Sequence, residues 1–167
     1  PYINVAQRLC QRTGMSNVFF SNSGAESNEG MIKLARKYSF DKYGKGNIVN
    51  IGSMYGLIAP DYDIYGDLPG NPPAYGAGKA GVIQYTKTCA SQLARRGIRV
   101  NSLTPGAFPN ITPATDKGFI SRLSAKAMMK RTGKPEELCG AMLLLASDAS
   151  SFMTGTNIVG DGGMSTW

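Results

Sequence analysis

Apolar and polar positions follow two alternating rhythms along this chain. Tyr2, Val5, Ala6 and Leu9 recur at helical spacing, and Gly14 stops that helix. Asn17 to Phe20 is a short β-prone run leading into Ser21-Asn22-Ser23-Gly24. Ser23 and Glu26 have the spacing of a capping box, and Met31, Ile32, Ala35 and Tyr38 predict a buried stripe on the next helix. Ile48 to Ile51 reads as a buried strand ending at Gly52-Ser53, followed by a Gly-, Pro-, Asp- and Tyr-rich loop from about Met54 to Pro73. From Ala74, Val82, Thr86, Cys89 and Leu93 share one helical face, and Gly97 ends the helix. Ile98 to Leu103 is another strand, broken by Pro105-Gly106, and an irregular segment extends to Lys134. Pro135 opens a helix carrying Leu138, Met142 and Leu145, and Asn157 to Val159 is the last strand.

Strands that alternate with helices imply right-handed crossovers and a parallel sheet covered on both faces. The expected fold is α/β: a partial Rossmann-like three-layer αβα sandwich with about four parallel strands, formed as a single domain over 1–167. The 167 residues, 42% apolar and 17% charged, have the balance of a folded domain. No apolar run is long enough to cross a membrane, so no membrane partner is expected.

The chemistry narrows further with what is missing. Histidine is absent, which excludes Ser-His-Asp and Cys-His relays and any metal site built on imidazole. Cys10, Cys89 and Cys139 form no CxxC pair; neither a metal site nor a disulfide framework is expected, and a reducing, cytoplasmic setting is. The start at Pro1 carries no signal-like core, so no targeting is expected. Eighteen basic against eleven acidic residues give a net charge of +7. The basic residues are scattered over helical stretches, which favours a solvated face or a phosphate-bearing small ligand over nucleic acid.

Ser53, Tyr75 and Lys79 stand out. Ser53 follows a buried parallel strand, where open α/β sheets place their ligands. Tyr75 and Lys79 lie four apart at the start of a helix and share a face. A phenol with a pKa of about 10 is a poor base at neutral pH. A neighbouring ammonium favours the phenolate and lowers that value, which lets Tyr75 exchange a proton with an alcohol or carbonyl while Ser53 hydrogen-bonds the same oxygen.

The wider context is specific. Gly46-Asn-Ile-Val-Asn-Ile-Gly-Ser53 is followed by Pro73-Ala-Tyr75-Gly-Ala-Gly-Lys79-Ala-Gly81 and Gly97-Ile-Arg-Val-Asn-Ser-Leu-Thr-Pro-Gly106. The segments 143–155 and Val159-Gly-Asp-Gly-Gly163 complete the series. Together, over about 46–167, they resemble the C-terminal half of the short-chain dehydrogenase/reductase family. The resemblance implies Tyr75 as proton donor or acceptor, Ser53 as anchor of the substrate oxygen, and Lys79 on the nicotinamide ribose. It also implies Pro105, Gly106 and Phe108 beside the nicotinamide of NAD or NADP. No TGxxxGIG-like loop occurs in the sequence, and the family's catalytic asparagine has no secure match.

Residues 1–45 resemble another family. Pro1-Tyr-Ile-Asn-Val-Ala-Gln-Arg-Leu-Cys10, Gly14 to Glu29 and Ile32 to Tyr38 are similar to class III pyridoxal-phosphate aminotransferases of the acetylornithine type. That resemblance implies a phosphate-binding turn at Ser23, Gly24 and Ala25, for which a plain helix cap is the simpler reading. The chain thus reads as a chimera joined near Lys45-Gly46.

The expected activity is hydride transfer between NAD(P) and an alcohol or carbonyl substrate. The loop between Ser53 and Tyr75 is long and carries Asp61, Tyr62, Asp63, Tyr65 and Asp67. It is expected either to line the pocket mouth against a sugar-like, polyhydroxylated substrate or to be a solvated turn. Two readings compete with the enzyme: a catalytically silent chimeric scaffold, and a phosphate- or pyridoxal-phosphate-binding fragment. The strand at 17–20 would present an unpaired edge, which a second copy in a homo-oligomer, the N-terminal helix or strand exchange is expected to cap.

Overall fold

The computed structural model of the protein describes residues 44–166 and scattered positions between 7 and 42. The chain divides into two compact units, Pro1–Tyr38 and Ser39–Trp167. In the first, the described positions, among them Gln7, Gln11, Leu34 and Tyr38, are helical, as the pattern predicts. Tyr38 is 55% exposed and Leu34, one turn before it, 64%. Tyr38 is therefore not part of a buried stripe, because periodicity specifies a helix without specifying what packs against it. The strand expected at 17–20 and the turn of Ser23, Gly24 and Ala25 lie outside the described residues.

In the second unit, β1 (Gly46–Ile51), β2 (Ile98–Pro105) and β3 (Asn157–Gly160) form a parallel sheet in that order. Gly46 lies opposite Ile98 and Ile51 opposite Leu103, while Ser102 pairs with Asn157 and Pro105 with Gly160. Parallel strands need long connections, and α1 (Pro73–Leu93), α2 (Lys117–Lys126) and α3 (Cys139–Ala146) lie within them.

Two asparagines of β1 show how the layers form. Asn47 and Asn50 lie three positions apart, an odd offset, so their side chains leave opposite faces of the strand. Asn50 Nδ2 donates to Thr86 Oγ1 on α1 at 2.9 Å, and Asn47 Nδ2 to the Leu145 carbonyl on α3 at 2.5 Å. Helices therefore cover both faces of the sheet.

The first helix buries Ile83, Thr86, Cys89, Ala90 and Leu93. Cys89, Ala90 and Leu93 pack with Ile98 and Val100 of the central strand, and with the half-buried Ile48 of β1. A 3₁₀ turn over Ala94–Arg96 follows, closed by Gly97 at φ +68° in the left-handed region. Central β2 carries polar side chains that are fully buried: Asn101, Ser102 and Thr104. Asn101 Nδ2 donates to the Met153 carbonyl at 2.9 Å and its Oδ1 accepts from the Thr156 amide at 3.0 Å. Asn157 Oδ1 accepts from both Ser102 and Thr104 hydroxyls, at 2.9 and 2.7 Å. Paired in this way, they cost far less than orphaned polar groups in a core.

The segment before Lys134, expected to be irregular, contains α2. Asp116 caps it by accepting from the amides of Gly118 and Phe119 at 2.8 and 3.0 Å. The helix is short, has a glycine in its first turn and buries only Leu123, so its periodic signal is faint. Asp116 ahead of the Phe119/Leu123 pair is the signal that reveals it. The helix expected from Pro135 begins instead as a 3₁₀ turn over Pro135–Leu138 and becomes α-helical at Cys139.

Candidate active site

The site grows from the end of β1. Ser53 lies two residues beyond Ile51 and is buried, 8% exposed. Its Oγ accepts from the Tyr55 amide at 3.2 Å and caps a 3₁₀ turn over Met54–Gly56. That turn lies directly on the start of α1. A Cβ at Gly56 would stand 2.7 Å from the backbone of Lys79 and Ala80, and one at Gly76 would stand 2.8 Å from the Tyr55 carbonyl oxygen. Only hydrogen fits at either place, so these glycines seat the Ser53 turn against the helix segment that carries Tyr75 and Lys79.

Lys79 Nζ donates to the Ile51 carbonyl at 3.1 Å and stands 5.8 Å from the centre of the Tyr75 ring. An ammonium at that distance from a ring face is within cation–π range. Tyr75 is 39% exposed. It lines a cleft of about 490 Å³ together with Tyr55, Tyr62 and Asn71. Strand end, capped turn and helix start thus bring Ser53, Tyr75 and Lys79 to one corner of the sheet.

Pro105 ends β2, beside the end of β1. The Gly106 amide donates to the Gly160 carbonyl at 3.0 Å, and any side chain at Gly106 would collide with Asp161. Burial pushes the Asp161 carboxyl up, but bonds from Ser165, Gly163 and Met164 outweigh it and hold the group below its ordinary value. Phe108 turns its ring onto Gly133. It lines a different cleft, of about 270 Å³, with Leu138 and Val159. Pro105 and Gly106 thus share the sheet end with Lys79, whereas Phe108 lines no part of the Tyr75 cleft.

The long loop is more than a solvated turn. Met54 and Ile64 are buried and form a cluster with Ala107, Leu123 and Met164, against which Tyr55, Tyr65 and Phe119 pack. Asn71 Nδ2 donates to the Tyr65 hydroxyl at 3.1 Å, and Tyr65 donates to the Tyr55 hydroxyl at 3.1 Å. Arg122 Nε donates to the Ile64 carbonyl at 2.8 Å, and Lys126 pairs with Asp61 at 2.5 Å. Hydrogen bonding to Lys126, then to the Asp63 amide, holds the Asp61 carboxyl below its ordinary value. Burial raises the Tyr55 phenol well above its ordinary value, and the neighbouring Asp61 carboxylate adds to the effect. Of the loop residues singled out from sequence, Asp61 and Tyr62 line clefts. Tyr65 turns inward, while Asp63 and Asp67 are exposed. Tyr55 and Asn71 were not legible as site residues, although Tyr55 stands two positions after Ser53 in the same turn.

Cys89 is a buried free thiol and Cys139 an exposed one. Among the described residues, no helix is long and apolar enough to cross a membrane.

A parallel sheet with helices on both faces and polar groups at the carboxyl ends of adjacent strands is a Rossmann-like α/β arrangement. Residues 20–165 match the family model described as enoyl-(acyl carrier protein) reductase. The chain belongs to the short-chain dehydrogenase/reductase family. It is 36% identical over 185 aligned positions to the 3-oxoacyl-[acyl-carrier-protein] reductase FabG of Thermotoga maritima, a match covering 96% of this chain and 70% of that protein. It is 41% identical over 130 positions to the ribulose-forming D-arabinitol 2-dehydrogenase of Candida tropicalis, covering 73% of this chain and 43% of that protein. A short-chain dehydrogenase from Leptospira borgpetersenii, solved with bound NAD+, superposes with a TM-score of 0.69 at 34% identity. That superposition covers 89% of this chain and 61% of the Leptospira one. The chain thus spans less than half of the arabinitol dehydrogenase and under two thirds of the Leptospira structure.

Proposed function

We propose that the protein interconverts an alcohol and a carbonyl with NAD or NADP, using Tyr75 as the proton-transferring group and a polyhydroxylated, sugar-like compound as substrate. The observation that carries this reading is the Lys79 ammonium, fixed to the end of β1 by the Ile51 carbonyl and poised over the Tyr75 ring.

The residues fit the nicotinamide half of such a cofactor. Of the three N–H groups of Lys79, one is taken by Ile51, its one acceptor among the described residues, which leaves two for ribose hydroxyls. Pro105 and Gly106 stand at the adjoining strand end. The sequence has no TGxxxGIG-like run, so no residue of this chain is assigned to the pyrophosphate. A bound nicotinamide supplies the hydride acceptor or donor.

The protein's own part is proton management. The Tyr75 oxygen takes the proton of the substrate hydroxyl on oxidation and returns it to the carbonyl oxygen on reduction. Ser53 Oγ holds that same oxygen. The Lys79 ammonium stands beside the Tyr75 ring as that proton moves. Burial of Ser53 beneath its turn keeps the geometry fixed.

A hydride-transfer assay with both nicotinamide cofactors against alcohols and ketones tests the reading. Tyr75→Phe is expected to lower the rate ~10²- to 10⁴-fold. An unchanged rate overturns the assignment, and the lack of saturable cofactor binding favours the silent scaffold. For residues 1–45 we propose the aminotransferase-like origin on sequence motifs alone. A phosphate turn at Ser23, Gly24 and Ala25 would show as a rise in Tm with pyridoxal phosphate that a bulky residue at Gly24 abolishes.

A further inference from the structure

We propose that the Tyr55 hydroxyl binds a second substrate oxygen, away from the reacting carbon, and so selects polyhydroxylated alcohols and hydroxyketones over compounds with a single oxygen. This rests on the dehydrogenase reading and names a specificity residue for it.

The case begins with the direction of a hydrogen-bond chain. Asn71 donates to Tyr65 and Tyr65 donates to Tyr55. A phenol carries one hydrogen, so Tyr65 spends its own on Tyr55. The Tyr55 oxygen receives that bond, and its own O–H has no acceptor among the described residues. The relay thus ends in a donor without an assigned partner. Each bond in such a chain polarises the next, which makes the terminal O–H a better donor than an isolated phenol.

The donor is held in register with the reacting groups from both sides. Its backbone amide is bound by Ser53 Oγ. Its carbonyl oxygen rests where a side chain at residue 76, next to Tyr75, would collide. Tyr55 lines the same cleft as Tyr75, and also the neighbouring one that Asp61 and Lys126 line. The remainder of the relay is rigid: Tyr65 lies 5.6 Å from the Phe119 ring, and Tyr62 donates to the Asn71 carbonyl at 2.8 Å. The upward shift of the Tyr55 phenol keeps it protonated across the working pH range. A neutral O–H suits a hydroxyl or carbonyl oxygen, which polyols and hydroxyketones offer beside the reacting carbon and cyclopentanol does not. Tyr65 acts through Tyr55 and is a positioning residue.

Titration calorimetry of the full chain with saturating cofactor, using D-arabinitol and cyclopentanol as probes, tests this. The ratio of the two dissociation constants is expected to shift against D-arabinitol about five- to tenfold in Tyr55→Phe, and about two- to threefold in Tyr65→Phe. Both variants lose a single oxygen, and thermal melts within a few degrees of wild type confirm that they fold. An unchanged ratio in Tyr55→Phe overturns the proposal, as does a wild-type chain that binds neither probe. Turnover separates this from the dehydrogenase reading. A shifted ratio without hydride transfer upholds Tyr55 and removes the reaction, whereas hydride transfer with unaltered selectivity in Tyr55→Phe does the reverse.

Discussion

Lys79 reaches back from α1 to the Ile51 carbonyl at 3.1 Å and in doing so holds its charge 5.8 Å from the centre of the Tyr75 ring. The lysine is thus a bridge between the strand that delivers Ser53 and the helix that delivers Tyr75. Replacing it with Met keeps most of the stem and removes the charge. We expect Lys79→Met to lower kcat/KM about 100-fold or more, within the range for loss of a group supporting proton transfer. Circular dichroism and a kinetic assay on the same preparation check it, and a wild-type rate would show the bridge to be structural only.

Gly76 offers a test of the seating of the Ser53 turn. In Gly76→Ala the new methyl meets the Tyr55 carbonyl oxygen at 2.8 Å. The obstruction is backbone and has no rotamer to escape into. Overpacking of this kind costs about 1–3 kcal/mol. Urea unfolding should show that loss, and turnover should fall at least tenfold as the turn lifts from the helix.

Leu145 is fully buried on the face of the sheet opposite α1, and its carbonyl accepts from Asn47. Leu145→Ala should destabilise the chain by about 2–5 kcal/mol. Equilibrium denaturation measures it. Because α3 lies away from the Tyr75 corner, the KM of the folded fraction should stay at the wild-type value.

Glu137 makes one surface contact that depends on pH on the acid side. Arg131 grips its carboxylate through two bonds at 2.6 and 2.7 Å, and the Lys134 amide adds a third at 2.8 Å. The Arg131 hydrogen bond first, and then the Lys134 amide, lower its pKa from 4.5 to about 2. A lowered carboxylate contributes stability above its unfolded value, and loses it as pH falls through its folded one. Protection of the Lys134 amide, taken as its exchange rate relative to the intrinsic rate at each pH, should therefore be full above pH 4.5 and fall as the pH drops toward about 2. In Glu137→Gln this dependence should be absent.

The parts of the site legible in the sequence are those encoded locally. Tyr75 and Lys79 declare themselves by a four-residue interval on one helix, and Ser53 by its place just past a run of apolar residues. The strands at 48–51, 98–103 and 157–159 are visible because short clusters of Ile, Val and Leu stand between glycine or proline breakers. What escaped notice depends on distant partners. Arg122 and Ile64 are 58 positions apart, so neither segment alone reveals that the loop is tied to α2. Tyr55 reads as one more loop aromatic until Tyr65, ten positions on, donates to it. Tyr38 shows the converse, a helical interval without burial.

The polar side chains of β2 act on alignment rather than on strength. A slip of this strand by a single residue would turn Asn101, Ser102 and Thr104 toward the opposite layer, away from Met153, Thr156 and Asn157. Each mispaired group would then carry a penalty of about 1–3 kcal/mol. An all-hydrocarbon strand would tolerate such an offset far more readily. These three residues therefore work as a vernier that rejects misthreaded pairings of β2 with β3, and through it the carboxyl ends of those two strands, Pro105 and Gly160, are brought level.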